Sequence, residues 1–320
     1  MAKIHHLTSI LIPVHFPPRI GPKVIRETLE NTLLGQEAYC RPQNVLLVVD
    51  KETPAERVLE EAAPGSPLHG LPLLRLRRNR GKAGAIKLGL EALLDRSEAP
   101  FLITRDCDGD HFIEDLPALV RLAQDLEGDR PVSVFGARPS LMKPMGWLRE
   151  EWEKLTNALL IDCAVYLAAR QEMVVDRRFW NGYSLDLQAG YRLYDRRAAR
   201  IAISALSDLP DDPKAFVFAC EPLPFLELVL EGGRVGQIRC TTRVDQPFSN
   251  YADFSLAQHY GGLLKYVGQR YRIPNAVLRT LFDNHLVDSP LYLSEHRDEV
   301  LKCRQTLDGE APLLSGPRFV

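Results

Sequence analysis

The chain has 320 residues, of which 45% are hydrophobic and 26% charged, and its net charge is -2. That length suits one large α/β domain with additions or two ordinary domains, and the near-neutral balance argues against a dedicated nucleic-acid binder. The six cysteines, Cys40, Cys107, Cys163, Cys220, Cys240 and Cys303, form no C-x-x-C pair and read as buried free thiols of a reducing compartment rather than a metal thiolate site.

The N-terminal residues before Thr8 carry no apolar h-region. The longest apolar run, Ala158 to Ala169, is broken by Asp162 and falls short of the about 20 residues needed to cross a bilayer. The expectation is a cytoplasmic protein without a transmembrane anchor, with peripheral membrane contact left open.

Ser9 to Val14 is a short apolar run that ends at a Pro-rich turn, as a buried first strand would. Apolar and Thr positions at helical spacing from Val24 to Leu34 predict a covering helix. Val45 to Val49 is a second buried strand, stopping at Asp50. Thr53 and Pro54 then signal a helix through about Ala63. Leu71 to Leu76 is a third strand, and the basic, Gly-containing stretch from Arg77 enters a helix of about Ala85 to Leu94. Phe101 to Thr104 is the fourth strand, Leu116 to Leu126 a helix, and Pro131 to Phe135 a fifth strand.

This alternation predicts a mostly parallel, doubly wound sheet, with ligands beyond the carboxyl ends of the strands. Asp50, Arg80, Lys82, Asp106 to Asp110 and Arg138 then share one rim. Farther on, Trp147 to Ala169 reads as a long helix, Gly190 to Tyr194 as a short strand, Arg196 to Leu206 as a helix, Leu223 to Leu230 as a helix ended by Gly232-Gly233, and Val235 to Thr242 as a strand. From Tyr251 onward the pattern is helical, with a polar tail after Gly309.

The fourth strand runs into Asp106-Cys-Asp-Gly-Asp-His111. Carboxylates clustered at the open end of a buried strand suit a hard divalent cation with oxygen ligands, although a D-x-D pattern alone more often marks a solvated acidic turn. Arg80 and Lys82, beside Gly81 and Gly84 at a helix start, are placed to meet anionic oxygens.

Taken together, these residues resemble the family 2 glycosyltransferases of GT-A fold over roughly residues 8 to 250. Ile12-Pro13-Val14 is similar to the opening strand of that family. Val48-Val49-Asp50 is similar to its nucleotide-base loop, and Asn79-Arg-Gly-Lys-Ala-Gly-Ala85 with Gly89-Leu90 to its N-x-G-x-x-x-A helix entry. Asp106-Cys-Asp-Gly-Asp-His111 resembles the D-A-D-G-Q-H form of D-x-D, and Glu114-Asp-Leu-Pro the usual continuation. Gly190-Tyr-Arg-Leu-Tyr194, Phe216-Val-Phe-Ala-Cys-Glu221 and the order Gly233, Arg243, Ser249-Asn250 resemble dolichyl- and polyprenyl-phosphate sugar synthases. Lys51-Glu-Thr-Pro54 and Gln246-Pro-Phe-Ser-Asn250 depart from the family's G-S-T-D and Gly-Glu-Ser-Lys.

The resemblance implies an α/β GT-A type domain over residues 1–250, a mostly parallel Rossmann-like sheet flanked by helices; residues 251–320 read, from their own pattern, as a helical C-terminal extension with a flexible tail. The resemblance also implies transfer of a sugar from a GDP- or UDP-sugar donor with Mg²⁺ or Mn²⁺. Pro13, Asp50, Arg80, Lys82 and Asp106 fall to the donor, Asp106, Asp108 and Asp110 to the metal, and Glu221, Arg138 and Arg243 to catalysis, with Arg192 a further phosphate contact. Polyprenyl phosphate is the first acceptor expected, with the 147–169 helix facing lipid. A small hydroxyl acceptor such as a glycerate, and a non-catalytic nucleotide-sugar-binding regulator, are the alternatives. With a hydroxyl acceptor Glu221 is a general base; otherwise it organises the site or serves a helix dipole. Asp110 has an ordinary reading as a helix-entry cap, Arg138 as a surface ion pair, and His285 as a structural histidine rather than a late metal ligand. Trp147, Trp152 and Trp180 are an acceptor wall or plain packing.

Overall fold

All seven residues of the first strand, β1 (Thr8–Val14), are buried, so both faces of it are covered, as its unbroken apolar run requires. In the computed structural model, which describes residues 4–51, 53–139, 146–180, 184–209, 219–242 and 255–308, β1 lies inside a seven-stranded sheet. The other strands are β2 (Val45–Val49), β3 (Leu73–Arg75), β4 (Phe101–Thr104), β5 (Val132–Ala137), β6 (Arg192–Asp195) and β7 (Arg234–Arg239). Their order is β3-β2-β1-β4-β6-β5-β7. The pairs β1 with β2, β1 with β4, β2 with β3 and β5 with β7 are parallel.

The helices, in chain order, are α1 (Pro22–Leu33), α2 (Ala55–Glu60), α3 (Gly81–Arg96), α4 (Leu116–Asp125), α5 (Trp147–Arg170), α6 (Arg177–Trp180), α7 (Arg196–Ser207), α8 (Pro222–Leu230), α9 (Leu256–Arg270), α10 (Asn275–Leu286) and α11 (Arg297–Thr306). Helix α2 ends at Glu60, short of the predicted Ala63, with Glu61 as its C-cap; Pro64 disfavours helical geometry at the residue before it. Thr53, predicted to cap α2, is used chiefly elsewhere. Its Oγ1 accepts from the Phe16 amide at 2.9 Å and donates to the Phe16 carbonyl at 3.3 Å, tying the chain to the exit of β1.

Strand β6 is antiparallel to both neighbours, with Arg192 opposite Thr104 and also opposite Phe135. Periodicity predicts a strand here but not its direction. The reversal matters because the chain enters β6 at the end where β4 leaves the sheet. Gly190 and Tyr191 are thereby delivered to the carboxyl rim, and Thr104 Oγ1 donates to the Gly190 carbonyl at 3.1 Å.

The chain groups into two compact units, one of residues 1–139 with 189–248 and the other of residues 140–188 with 249–320. Residues 140–188 therefore group with the C-terminal part and not with the sheet, whereas the sequence reading runs 1–250 as one stretch. Within the second unit α5 buries Trp152, Leu155, Leu159, Leu160, Cys163, Ala164 and Leu167, packing against α9 and α10. Trp152 is fully buried and stacks on Tyr260 at 5.9 Å. The apolar residues predicted to face lipid are thus largely core, and no helix among the described residues is long and apolar enough to cross a membrane.

Helix α3 sits close on the sheet at Gly89, where a Cβ would come within 2.2 Å of Leu11 Cδ1 and 2.8 Å of Val48 Cγ2. Elsewhere in a helix Gly→Ala gains about 1 kcal/mol from propensity. Here overpacking two fully buried side chains outweighs that, and Gly89→Ala is expected to destabilise by roughly 1–2 kcal/mol in urea unfolding. In the second unit, burial and the Arg149 charge hold His259 down to about 4. The unfolded imidazole takes its proton near pH 6.5, the folded one only near 4. Stability is therefore full above about pH 6.5 and falls as pH drops from there towards 4, by on the order of 2 kcal/mol. Urea midpoints across this range should show the loss, and His259→Gln should flatten it.

Candidate active site

Asp50 ends β2 and its Oδ1 accepts from the Arg80 amide at 3.0 Å and the Lys51 amide at 3.2 Å. Burial pushes this carboxyl above its ordinary value in spite of those donors. Asn79 Oδ1 accepts from the Gly81 amide at 2.9 Å, and Gly81 has φ of 64°, a left-handed geometry that favours glycine. These two contacts start α3 one turn earlier than predicted, which puts Lys82 in its first turn. Arg80, at the N-cap position, is exposed.

Lys82 is the hub of the rim. Its Nζ lies 2.7 Å from Asp106 Oδ1 and 2.6 Å from Glu221 Oε1. Burial lowers the affinity of the lysine for its proton, but Asp106 and Glu221 outweigh this and hold it well above its ordinary value. At Asp106, burial raises the pKa, and Lys82, His111 and Arg138 together bring it below the usual carboxylate range. Arg138, just beyond β5, thus acts on the same acidic loop. Gly190 is required here, since a Cβ on it would lie 2.1 Å from Asp106 Oδ2.

The acidic loop is held from both sides. Thr32 Oγ1 on α1 donates to the Cys107 carbonyl at 3.1 Å, and Gly109 turns with φ of 76°. The Asp110 amide donates to Asp108 Oδ1 at 3.1 Å. Asp108 is pushed up to about 6 by burial and by the Asp106 charge. The 1% exposed Arg105 donates through Nη2 to the His111 carbonyl and so closes the loop on itself. His111 is held down to about 4, chiefly by burial, and its ring lies 5.2 Å from that of Tyr191. It also bridges Thr242, shortly after β7.

Glu221 occupies the N-cap position of α8, yet its side chain makes no capping bond. One carboxylate oxygen meets Lys82, and the other, Oε2, accepts from the Cys220 thiol at 2.6 Å. Its carbonyl accepts from Arg192 Nη1. Arg192 also donates through Nε to the Ala189 carbonyl at 3.0 Å and lies over the Phe135 ring at 4.2 Å. Being 1% exposed and committed to two carbonyls, Arg192 braces the site, which corrects its sequence reading as a phosphate contact.

The structure therefore brings Lys82, Asp106 and Glu221 into direct contact, with Asp108 and Asp110 on the same loop and Arg138 within electrostatic reach of Asp106. Pro13 is buried in β1 opposite Val48. The N-cap position of α4 falls on Asp115, whose side chain makes no capping bond. Arg243 lies outside the described residues. His285 is in the second unit, where Nε2 is 2.7 Å from Asp162 Oδ2. Trp152 is a packing residue, and Trp147 lies 6.2 Å from His296 in the same unit. Arg105, Cys220 and the bracing role of Arg192 were not read from the sequence. Their partners are three carbonyls, those of His111, Ala189 and Glu221, and the neighbouring Glu221 side chain, which leave no spacing signature.

Among the described residues, no three His, Cys, Asp or Glu side chains come together as a group able to hold a metal ion. The donor chemistry nonetheless suits one. Asp106, Asp108 and Asp110 all offer hard oxygen donors; burial first and the Asp106 charge second raise Asp108, and a divalent cation would offset the second of these.

No family model matches the chain. An uncharacterised protein of Methanocaldococcus jannaschii is 27% identical over 137 residues, 43% of this chain and 53% of that protein, so the chain spans about half the length of the curated relative it matches. A glucosyl-3-phosphoglycerate synthase of Mycobacterium tuberculosis, solved with phosphoglyceric acid, is 14% identical with a TM-score of 0.42, covering 82% of this chain and 80% of that one. A mannosyltransferase of Pyrobaculum calidifontis, solved with GDP-Man and Mn²⁺, is 13% identical with a TM-score of 0.50, covering 95% of this chain and 88% of that one. With a mostly parallel seven-stranded sheet flanked by helices and this likeness along nearly its whole length, the chain has the GT-A type fold of glycosyltransferases.

Proposed function

We propose that the protein is a metal-dependent glycosyltransferase that moves a sugar from a nucleotide-sugar donor to an acceptor hydroxyl. The observation that carries this reading is the contact of Lys82 with both Asp106 and Glu221 at the carboxyl rim of a GT-A type sheet. Cations for a diphosphate, carboxylates for a metal, and a further buried carboxylate for the acceptor meet at one place. The GDP-Man and Mn²⁺ complex of the mannosyltransferase supports a nucleotide-sugar donor and a divalent ion.

In this reading Asp50 faces the base and ribose, with Pro13 shaping the strand end behind it. Arg80, Lys82 and Arg138 take the diphosphate oxygens, and Arg243 is assigned with them by resemblance alone. Asp108 and Asp110 hold Mg²⁺ or Mn²⁺ with Asp106 beside them, and the ion supplies Lewis-acid charge against the leaving diphosphate. Glu221 takes the proton from the acceptor hydroxyl as its oxygen attacks the anomeric carbon and the bond to the diphosphate oxygen breaks. A direct displacement of this kind inverts the anomeric centre.

A hydroxyl acceptor is favoured over polyprenyl phosphate on two grounds. An ionised phosphate needs no base, whereas Glu221 is a carboxylate kept 4% exposed in the site. The helix expected to face lipid also has most of its apolar residues in the core of the second unit.

Two measurements test the reading. Turnover of GDP- and UDP-sugars with Mg²⁺ or Mn²⁺ should be lost in Asp108→Ala, with metal-dependent nucleotide binding weakened at least tenfold by calorimetry. Wild-type-like values would remove the metal assignment, and absence of turnover and of metal-dependent nucleotide binding in the wild type would favour a non-catalytic regulator. Glu221→Gln should lower kcat with a small hydroxyl acceptor by about 10²-fold or more while leaving donor affinity within a few-fold. Label appearing in organic-extractable lipid, with little effect of Glu221→Gln, would restore the polyprenyl-phosphate reading.

A further inference from the structure

Cys220 adjoins Glu221 in the chain and is 1% exposed. Its thiol donates to Glu221 Oε2 at 2.6 Å, on the oxygen that Lys82 does not use. An ionised carboxylate has about four lone-pair sites. One is taken by the ammonium and one by the thiol, so the plane of the Glu221 carboxylate is fixed by two donors acting on different oxygens.

These two donors differ in what they can do when a donor sugar arrives. Lys82 also serves Asp106, and a diphosphate competes for its charge. Cys220 is buried at the head of α8, where Arg192 holds the following carbonyl, and it carries no charge for a diphosphate to compete for. We propose that Cys220 is a positioning residue for the general base, the contact that keeps the Glu221 carboxylate oriented once Lys82 turns to the diphosphate. This rests on the reading of Glu221 as base. The thiol keeps its proton throughout, because burial and the Glu221 charge push it well above its ordinary value. The only proton that moves goes from the acceptor hydroxyl to a free lone pair of Glu221.

Two substitutions separate a hydrogen bond from mere packing. Cys220→Val keeps an apolar side chain of similar size and removes the donor, whereas Cys220→Ser keeps a donor and is poorer packing. Cys220→Val is expected to lower kcat roughly tenfold with donor KM unchanged, and Cys220→Ser to restore most of that loss. In parallel, the side-chain carboxyl ¹³C resonance of Glu221, assigned by Glu221→Gln, should move in Cys220→Val and stay near its wild-type position in Cys220→Ser. A valine variant as active as wild type, a serine variant worse than valine, or an unmoved resonance in Cys220→Val would each overturn the proposal. Because the resonance is read without turnover, an inactive wild type would defeat the transferase reading while the carboxylate contact is still decided.

Discussion

A single ammonium group between two carboxylates holds the rim together. Without Lys82, the partly exposed Asp106 and the buried Glu221 would face each other with like charges, and the Glu221 charge would be left without its ammonium partner, which is destabilising. The position of the lysine depends in turn on where α3 begins. That is fixed by Asp50 on the Arg80 amide and by Asn79 on the Gly81 amide. The end of β2, the start of α3, the end of β4 and the head of α8 are therefore one electrostatic unit, and displacing any one of them moves the others.

Two buried arginines brace that unit through backbone carbonyls. Arg105 closes the acidic loop on the His111 carbonyl, and Arg192 joins the Ala189 and Glu221 carbonyls. A guanidinium has several donors in a fixed fork and cannot be deprotonated, so it can hold two chain segments at a set separation. Charge arranged in advance needs little rearrangement when a substrate's own charge develops, and that is where preorganised sites gain most.

Much of this was legible in the sequence. Strands β1, β2 and β4 are fully buried, so their apolar runs announce them, and the abrupt arrival of Asp50 and Asp106 marks the rim at which those runs stop. Glu221 and Lys82 were readable as members of one site through the motifs around them. What could not be read were partners. Nothing in the pattern of Gly190 to Tyr194 says that β6 runs backwards, since alternation is the same in either direction. Nothing in Arg192 distinguishes a guanidinium aimed at phosphate from one spent on carbonyls. The long helix α5 has the same apolar positions whether it covers lipid or a neighbouring helix, and only the grouping of residues 140–188 with the C-terminal part decides between them.

The placement of β6 also sets the order in which the chain can fold as it is made. It lies between β4 and β5, and Thr104 must wait for Arg192 before its outer side is paired. Until then the outer side of β4 has no strand to pair with, and β5, although synthesised first, lacks both of its sheet neighbours. Residues 140–188 must emerge in the interval, and their packing partners α9 and α10 come later still. The nascent protein thus carries an open strand edge and an uncovered apolar helix at the same time, two features that favour association with other chains. Closing so long a loop is slow. The strand that delivers Gly190 to Asp106 is thus also the one that closes the open edge of β4.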